Sequence, residues 1–132
     1  MEIKWLPLPD HGDETCMLVT AEGGTDIPFS IRRVYYFCHT DPSAHRGFHA
    51  HKQLQQVFVC LHGGCTVLLD DGFEQQTVEL SDPCQGLYVG PGIWREMYDF
   101  QPDTVLLALT DRCYEEEDYI RDYEAFLRWV RT

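Results

Sequence analysis

Along most of the chain apolar and polar residues change places at every second position, in short runs broken by Gly, Pro, Asp and Ser. That is the period of half-buried strands, whose successive side chains point to opposite faces. The pattern predicts a short strand at Ile3–Leu6, stopped by Pro7 and Pro9, and further strands at 16–21 (CMLVTA) and 29–38 (FSIRRVYYFC). The last of these is dense in aromatic and β-branched residues, which fit a pleated surface. Pro, Ser, Gly and Asp make 39–47 a loop. A strand carrying His49 and His51 follows, then QVFVCLH (56–62), which ends at Gly63-Gly64. CTVLLDDGFEQQTVEL (65–80) reads as a hairpin turning on Asp71-Gly72, a two-residue turn signal. Short strands at 86–90, within 91–100 and at 104–110 complete the series. Many short strands with turns between them predict an all-β sandwich or barrel.

Near the C-terminus the period changes. Tyr119, Ile120, Tyr123, Phe126, Leu127 and Val130 recur at helical spacing, predicting an amphipathic helix packed on the barrel or at a dimer edge. The acidic run Glu115–Asp118 at its start and Arg128 and Arg131 at its end suit the helix dipole. No linker, repeat or low-complexity segment interrupts residues 1–132, and that length suits a single domain with a moderate core.

Composition narrows the function. With 44% hydrophobic residues the chain can build a core rather than stay disordered. A formal charge of −12 argues against nucleic acid or anionic membrane as a partner, so a phosphorylated ligand would need local arginines to overcome the overall field. No apolar run approaches the ~20 residues of a membrane-spanning helix, and no signal-peptide core opens the chain, so a cytoplasmic location is expected. The cysteines (16, 38, 60, 65, 84 and 113) form no C-x-x-C pair and sit mostly among apolar residues. Buried free thiols are expected rather than disulfides.

The candidate chemistry lies between Arg46 and Gly63, RGFHAHKQLQQVFVCLHG. Residues i and i+2 of a strand share a face, so His49 and His51 should look into the same space. The string H-x-H-x4-Q-x6-G resembles the first signature of the cupin family of small β-barrels, with Gln56 where metal-binding members carry Glu. GLYVGPGIWR (86–95) has the shape of the second signature, but Arg95 stands where the fourth metal ligand should be. Arginine stays cationic and does not ligate metal, and a neutral amide is a poor substitute for a carboxylate. The expected pocket is metal-free, although two imidazoles alone hold a metal weakly. An H-x-H pair can also be purely structural. Two imidazoles beside an arginine suit removal of a proton alpha to a carbonyl, the arginine stabilising an enolate or holding a phosphate.

Six blocks of the chain resemble the sugar-nucleotide 3,4-ketoisomerases, cupin enzymes acting on dTDP-4-keto-6-deoxyglucose. They are IPFSIRRVYYF, RGFHAHKQLQQVFVCLHGGC, VLLDDG, GLYVGP, W-x-EM-x-DF (94–100) and Y-x-EEDYIRDY (114–123), in that order. The resemblance implies a cupin-type jelly-roll barrel with a C-terminal helix. It implies conversion of the 4-keto sugar to its 3-keto isomer, without metal or other cofactor. The product would feed a transaminase making 3-amino-3,6-dideoxyhexoses for surface glycans such as lipopolysaccharide O-antigen or S-layer glycan. A homodimer is implied too, often with exchanged N-terminal strands.

On that resemblance His49 matches the base that removes the C3 proton to give an enediol(ate), and His51 assists as acid or proton relay. Arg46 and Arg33 are expected to bind the diphosphate and sugar oxygens, and Arg95 also to contact substrate. Tyr35 shares parity with Arg33, so its hydroxyl could reach the sugar; alternatively Arg33 makes a structural ion pair and Tyr35 is core. Gln56 is expected to hydrogen-bond a histidine or a sugar hydroxyl, and Trp94 and Met97 to pack inside the barrel. Members forming the galacto product tend to carry Arg at the position of Thr15 and His at that of Arg95; Arg95 therefore leans the expectation toward a gluco product. Other readings are an epimerase of a 4-keto sugar nucleotide, a metal-dependent cupin such as a dioxygenase, and a non-catalytic sugar-nucleotide binding module. The retained histidine pair speaks against the last.

Overall fold

A computed structural model describes all 132 residues. Its strands are β1 (Lys4–Pro7), β2 (Arg33–Phe37), β3 (Arg46–His51), β4 (Gln56–His62), β5 (Cys65–Asp70), β6 (Gln75–Leu80), β7 (Gln85–Val89), β8 (Trp94–Tyr98), β9 (Val105–Thr110) and β10 (Tyr119–Ile120), with one helix, α1 (Tyr123–Val130). Two antiparallel sheets, ordered β1-β7-β4-β9-β2 and β10-β3-β8-β5-β6, form a jelly roll. The core follows from alternation: Phe58 and Cys60 of β4, Val67 and Leu69 of β5 and Met97 of β8 point inward and are buried together. Phe58 anchors that core; truncating so large a buried aromatic typically costs about 3–5 kcal/mol.

Strand β4 is buried on its other side as well. Val57 and Val59 are covered by Leu8, Ile27 and Phe29, from the arm that joins β1 to β2. This arm includes 16–21, predicted as a strand, yet it makes only isolated bridges such as Asp10↔Val19 and Asp13↔Cys16. Its backbone is held by carboxylates instead: Asp10 accepts from Gly12 and Leu18, and Asp13 from Thr15. Local carboxylate turns compete with a ladder, and here they win. The predicted strand 29–38 shortens to β2, since Phe29 and Ile31 pack on the sheet's outer face.

The β5–β6 connection is longer than the two-residue turn predicted. Residues 71–74 form it, with the Asp71 carboxylate accepting from the backbone of Phe73 and Glu74. Cysteine burial also departs from expectation. All six thiols are free, but only Cys60 and Cys65 are buried, whereas Cys16, Cys38 and Cys113 are exposed.

The largest departure lies at 115–122. Helical periodicity starts the helix near Tyr119, but residues Glu116–Asp118 form a single 3-10 turn and Tyr119–Ile120 become β10. The physical reason is the free edge of β3, which offers a ladder: Tyr119 pairs with His51 and Ile120 with Ala50. Helix α1 starts only where Asp122 caps it by accepting from Ala125. Its Phe126 is buried with Trp94, Ala50 and Ile120. Trp94 therefore packs outside the roll, under the helix, while Met97 lies inside as expected. No helix is long and apolar enough to cross a membrane.

Candidate active site

The site is organised by an irregularity in β3. Arg46 stands opposite Met97 and Gly47 opposite Glu96, but the next pairing is His49 with Arg95, so Phe48 is an extra residue. Gly47 (φ 97°) and Phe48 (φ 57°) take left-handed backbone at this bulge. Glycine is required at 47 on two counts. A side chain disfavours that φ, and a Cβ would meet the Arg95 carbonyl oxygen at 2.6 Å. Because of the bulge, Arg46 shares a cleft with His49 instead of facing away from it.

His49 and His51 do look into one space, their rings 4.9 Å apart and nearly perpendicular. The Tyr119 ring lies 4.9 Å from the first and 4.4 Å from the second. His49 Nδ1 sits 3.0 Å from the Gly47 carbonyl, so that nitrogen carries the proton and donates it. Nε2 is left as a lone pair, buried and without a partner. Burial first, and then the charge of Arg95, push the His49 pKa down to about 3. His49 is thus neutral at pH 7, the state a base needs.

His51 is 1% exposed, and its Nδ1 lies 3.0 Å from the Asp118 carboxylate. Burial, followed by Arg95 and the more distant Arg121 and Arg33, lowers its pKa. The carboxylate opposes that shift, because an anion in hydrogen-bond contact favours imidazolium.

Arg95 is 0% exposed and sits across the ladder from His49. Its Nη1 donates to Gln56 at 2.6 Å and its Nε to the Ile93 carbonyl, while Nη2 has no partner. Burial lowers the guanidinium only to about 10, so it remains a cation at neutral pH. Gln56 uses its other end to donate to the Tyr35 hydroxyl. Of the two partners expected for it, a histidine or a sugar hydroxyl, the amide bonds neither histidine; within the protein it joins Tyr35 to Arg95. With its oxygen occupied as acceptor, the Tyr35 O–H is free to donate to a third group.

Arg33, Arg46 and Arg121 rim a cleft of about 320 Å³ whose walls include Tyr35, His49 and Tyr119. Arg33 makes no ion pair; it stacks 5.0 Å above Tyr35 and 5.5 Å above Tyr114. Arg121 stacks on Tyr119 at 4.1 Å and is held by Glu116. The three guanidinium groups supply the local positive field that a phosphorylated ligand needs on so acidic a chain. A larger cavity of about 420 Å³ lies beside the N-terminus against Tyr88 and Ile93, but neither a histidine nor an arginine lines it. Thr15 lies outside the cleft, in an exposed turn where its hydroxyl donates to Asp13.

All the sequence-predicted residues (His49, His51, Arg33, Tyr35, Arg46, Gln56 and Arg95) converge on this cleft or its floor. Three that sequence reasoning assigned elsewhere join them: Asp118, Tyr119 and Arg121. Periodicity assigns their segment to the helix and its start, and one aspartate in the run Glu115–Asp118 has no sequence mark to set it apart. No three His, Cys, Asp or Glu side chains come together in a metal-holding group.

A jelly roll with paired imidazoles on one inward strand, a buried arginine and a rim of cations is a cupin-type fold around a polar pocket. Residues 1–131 match the family described as FdtA, WxcM-like, C-terminal, and the chain belongs to that family. It is 50% identical over 130 residues to the TDP-4-oxo-6-deoxy-alpha-D-glucose-3,4-oxoisomerase of Aneurinibacillus thermoaerophilus, covering 98% of this chain and 94% of the relative. Among solved structures, a mutant of the 3,4-ketoisomerase QdtA from Thermoanaerobacterium thermosaccharolyticum, in complex with TDP-4-keto-6-deoxyglucose, superimposes with a TM-score of 0.95 at 41% identity. The match covers 98% of this chain and 94% of that one. The TDP-quinovose 3,4-ketoisomerase WlaRB of Campylobacter jejuni gives a TM-score of 0.90 at 41% identity, covering 96% and 97%.

Proposed function

We infer that this chain is a TDP-4-keto-6-deoxyglucose 3,4-ketoisomerase, moving the keto group from C4 to C3 without net oxidation. One observation carries the chemistry: the buried, unpartnered Nε2 of His49, with its tautomer fixed by Gly47 and the unpartnered Arg95 Nη2 across the ladder. The C4 ketone acidifies the C3 proton. His49 Nε2 takes that proton, leaving an enediolate whose negative charge is shared toward O4. Arg95 stabilises the oxyanion, a service worth several kcal/mol where water is excluded. His51 moves the hydroxyl proton from O3 to O4; as the ketone forms at C3, C4 takes a proton from solvent on the face opposite His49, as the gluco product requires, and His49 releases the C3 proton to solvent. One C–H bond breaks, another forms, and the electron pairs balance.

The roles of the remaining side chains follow from their positions. Arg33, Arg46 and Arg121 hold the diphosphate, Tyr35 donates its free O–H to a sugar oxygen, and Gln56 fixes both Tyr35 and Arg95. Arg95 in place of histidine supports a gluco product, as does the 41% identity to an enzyme named for quinovose, which is 6-deoxyglucose. A 3-keto sugar is the substrate form a transaminase needs to make a 3-amino sugar for surface glycans, and that is the use we assign. We also propose a homodimer in the cytoplasm. The exposed Val34 and Tyr36 on edge strand β2 support the dimer, and β1, paired here with β7, is the strand that would exchange.

The test is ¹H NMR of the protein with TDP-4-keto-6-deoxyglucose in D₂O, beside His49→Asn. Loss of the C3 proton signal and appearance of a deuterated 3-keto product, both absent in the variant, are expected, and the C4 configuration of that product reads gluco or galacto. Saturable binding with an intact substrate would replace the enzyme by a binding module.

A further inference from the structure

The two histidines share a tautomer but not a partner, and the difference has a chemical consequence. His49 leans on the neutral Gly47 carbonyl; His51 leans on Asp118, an anion that is itself 9% exposed. Asp118 is held in place from several sides. One of its carboxylate oxygens accepts from the Gln53 backbone at 2.7 Å and the other from Leu54 at 3.2 Å, while its own carbonyl accepts from Lys52 at 2.9 Å. The turn Lys52–Leu54 and the 3-10 turn before β10 are thereby locked together behind the His51 ring.

Each imidazole already carries a proton on Nδ1, so each becomes an imidazolium when Nε2 takes a second one, His49 from C3 and His51 from O3. His51 must hold that cation while it passes the proton on to O4. The surroundings of His51 resist that: burial first, then the cations Arg95 from β8, Arg121 beyond β10 and Arg33 from β2, with the neutral His49 and Tyr119 rings as walls. Only Asp118 offsets this cationic environment. We propose that Asp118 is the positioning residue that lets His51 ferry the proton between O3 and O4, whereas His49 opens the reaction at C3 without it. This rests on the isomerase reading above.

Asp118→Asn separates the two jobs. The amide oxygen is drawn to the position where both the Leu54 N–H and His51 Nδ1–H donate, against the single donor from Gln53, so the tautomer is kept. The anion that favours imidazolium is lost. In D₂O, C3 deuteration of the substrate by Asp118→Asn should stay within about threefold of wild type. Formation of the 3-keto product should fall about 100-fold, the usual scale for losing one acid–base group. Selective ¹⁵N NMR of His51 in Asp118→Asn should show the same tautomer with the imidazolium form appearing at lower pH than in wild type, and Asp118→Glu should recover part of the turnover. Should Asp118→Asn fail to fold, His51→Asn in the same assay must show the same split, exchange kept and product lost. Exchange and turnover falling in parallel, or neither falling, in a folded Asp118→Asn overturns the role of Asp118. A wild-type protein that neither exchanges nor isomerises overturns the isomerase reading, and this proposal with it.

Discussion

Arg46 and His49 share a cleft although three positions separate them, because Gly47 and Phe48 together stand opposite the single residue Glu96. Strict alternation would send Arg46 to the far side of the sheet from both histidines. The bulge corrects the parity, and Gly47 serves twice, turning the chain and fixing the His49 proton through its carbonyl.

Gly47→Ala should therefore damage fold and site together. The added Cβ meets the Arg95 carbonyl at 2.6 Å and faces an unfavourable φ of 97°. A stability loss of about 1–3 kcal/mol is expected from strain of this kind, read by urea unfolding. C3 exchange should fall more than the loss of folded protein explains.

Arg46→Ala should weaken nucleotide binding while sparing chemistry at C3. A charge-assisted hydrogen bond to phosphate is worth about 1.5–3 kcal/mol, so a rise of roughly 10–100-fold in the Kd for TDP is expected. Calorimetry with TDP alone measures it, and the affinity of wild type should drop with salt more steeply than that of the variant.

Gln56→Leu should be costly out of proportion to its size. Gln56 is 1% exposed and bonds Arg95 on one side and Tyr35 on the other. Leucine keeps the volume but leaves a buried guanidinium nitrogen unsatisfied, costing about 1–3 kcal/mol or more for a charged group. Turnover should drop as well, since both Arg95 and the Tyr35 hydroxyl lose their fixed orientation. A melting temperature equal to wild type would show that this network carries no structural weight.

His49 gives stability a pH dependence whose sign is fixed by its depressed pKa. Folded, it titrates at about 3; unfolded, at the ordinary 6.5. Between those values the unfolded chain binds the extra proton, so stability rises with pH. The contribution is complete above pH 6.5 and is lost progressively as the pH falls toward 3, at a slope approaching about 1.4 kcal/mol per pH unit. Urea unfolding from pH 8 to pH 4 should show a steeper decline for wild type than for His49→Gln. By the same logic, C3 exchange should not fall as the pH passes downward through 6.5, because the base stays neutral well below its ordinary range.

Residue pattern alone determined most of the strand set, the jelly-roll class and the shared face of His49 and His51, since these rest on alternation and short-range spacing. Arg95 was likewise legible as a cation in a ligand's place, because the second signature keeps its spacing to Pro91 and Gly92. Tertiary structure alone decided whatever depended on competition between partners distant in sequence. The edge of β3 took Tyr119 and Ile120 from a helix, and carboxylate turns kept 16–21 out of the sheet. A bulge moved Arg46 to the histidine side, and the backbone of 52–54 fixed Asp118 behind His51. Local periodicity reports which face a residue can occupy; which neighbour it meets there depends on ladders and buried charges formed by chain segments far apart.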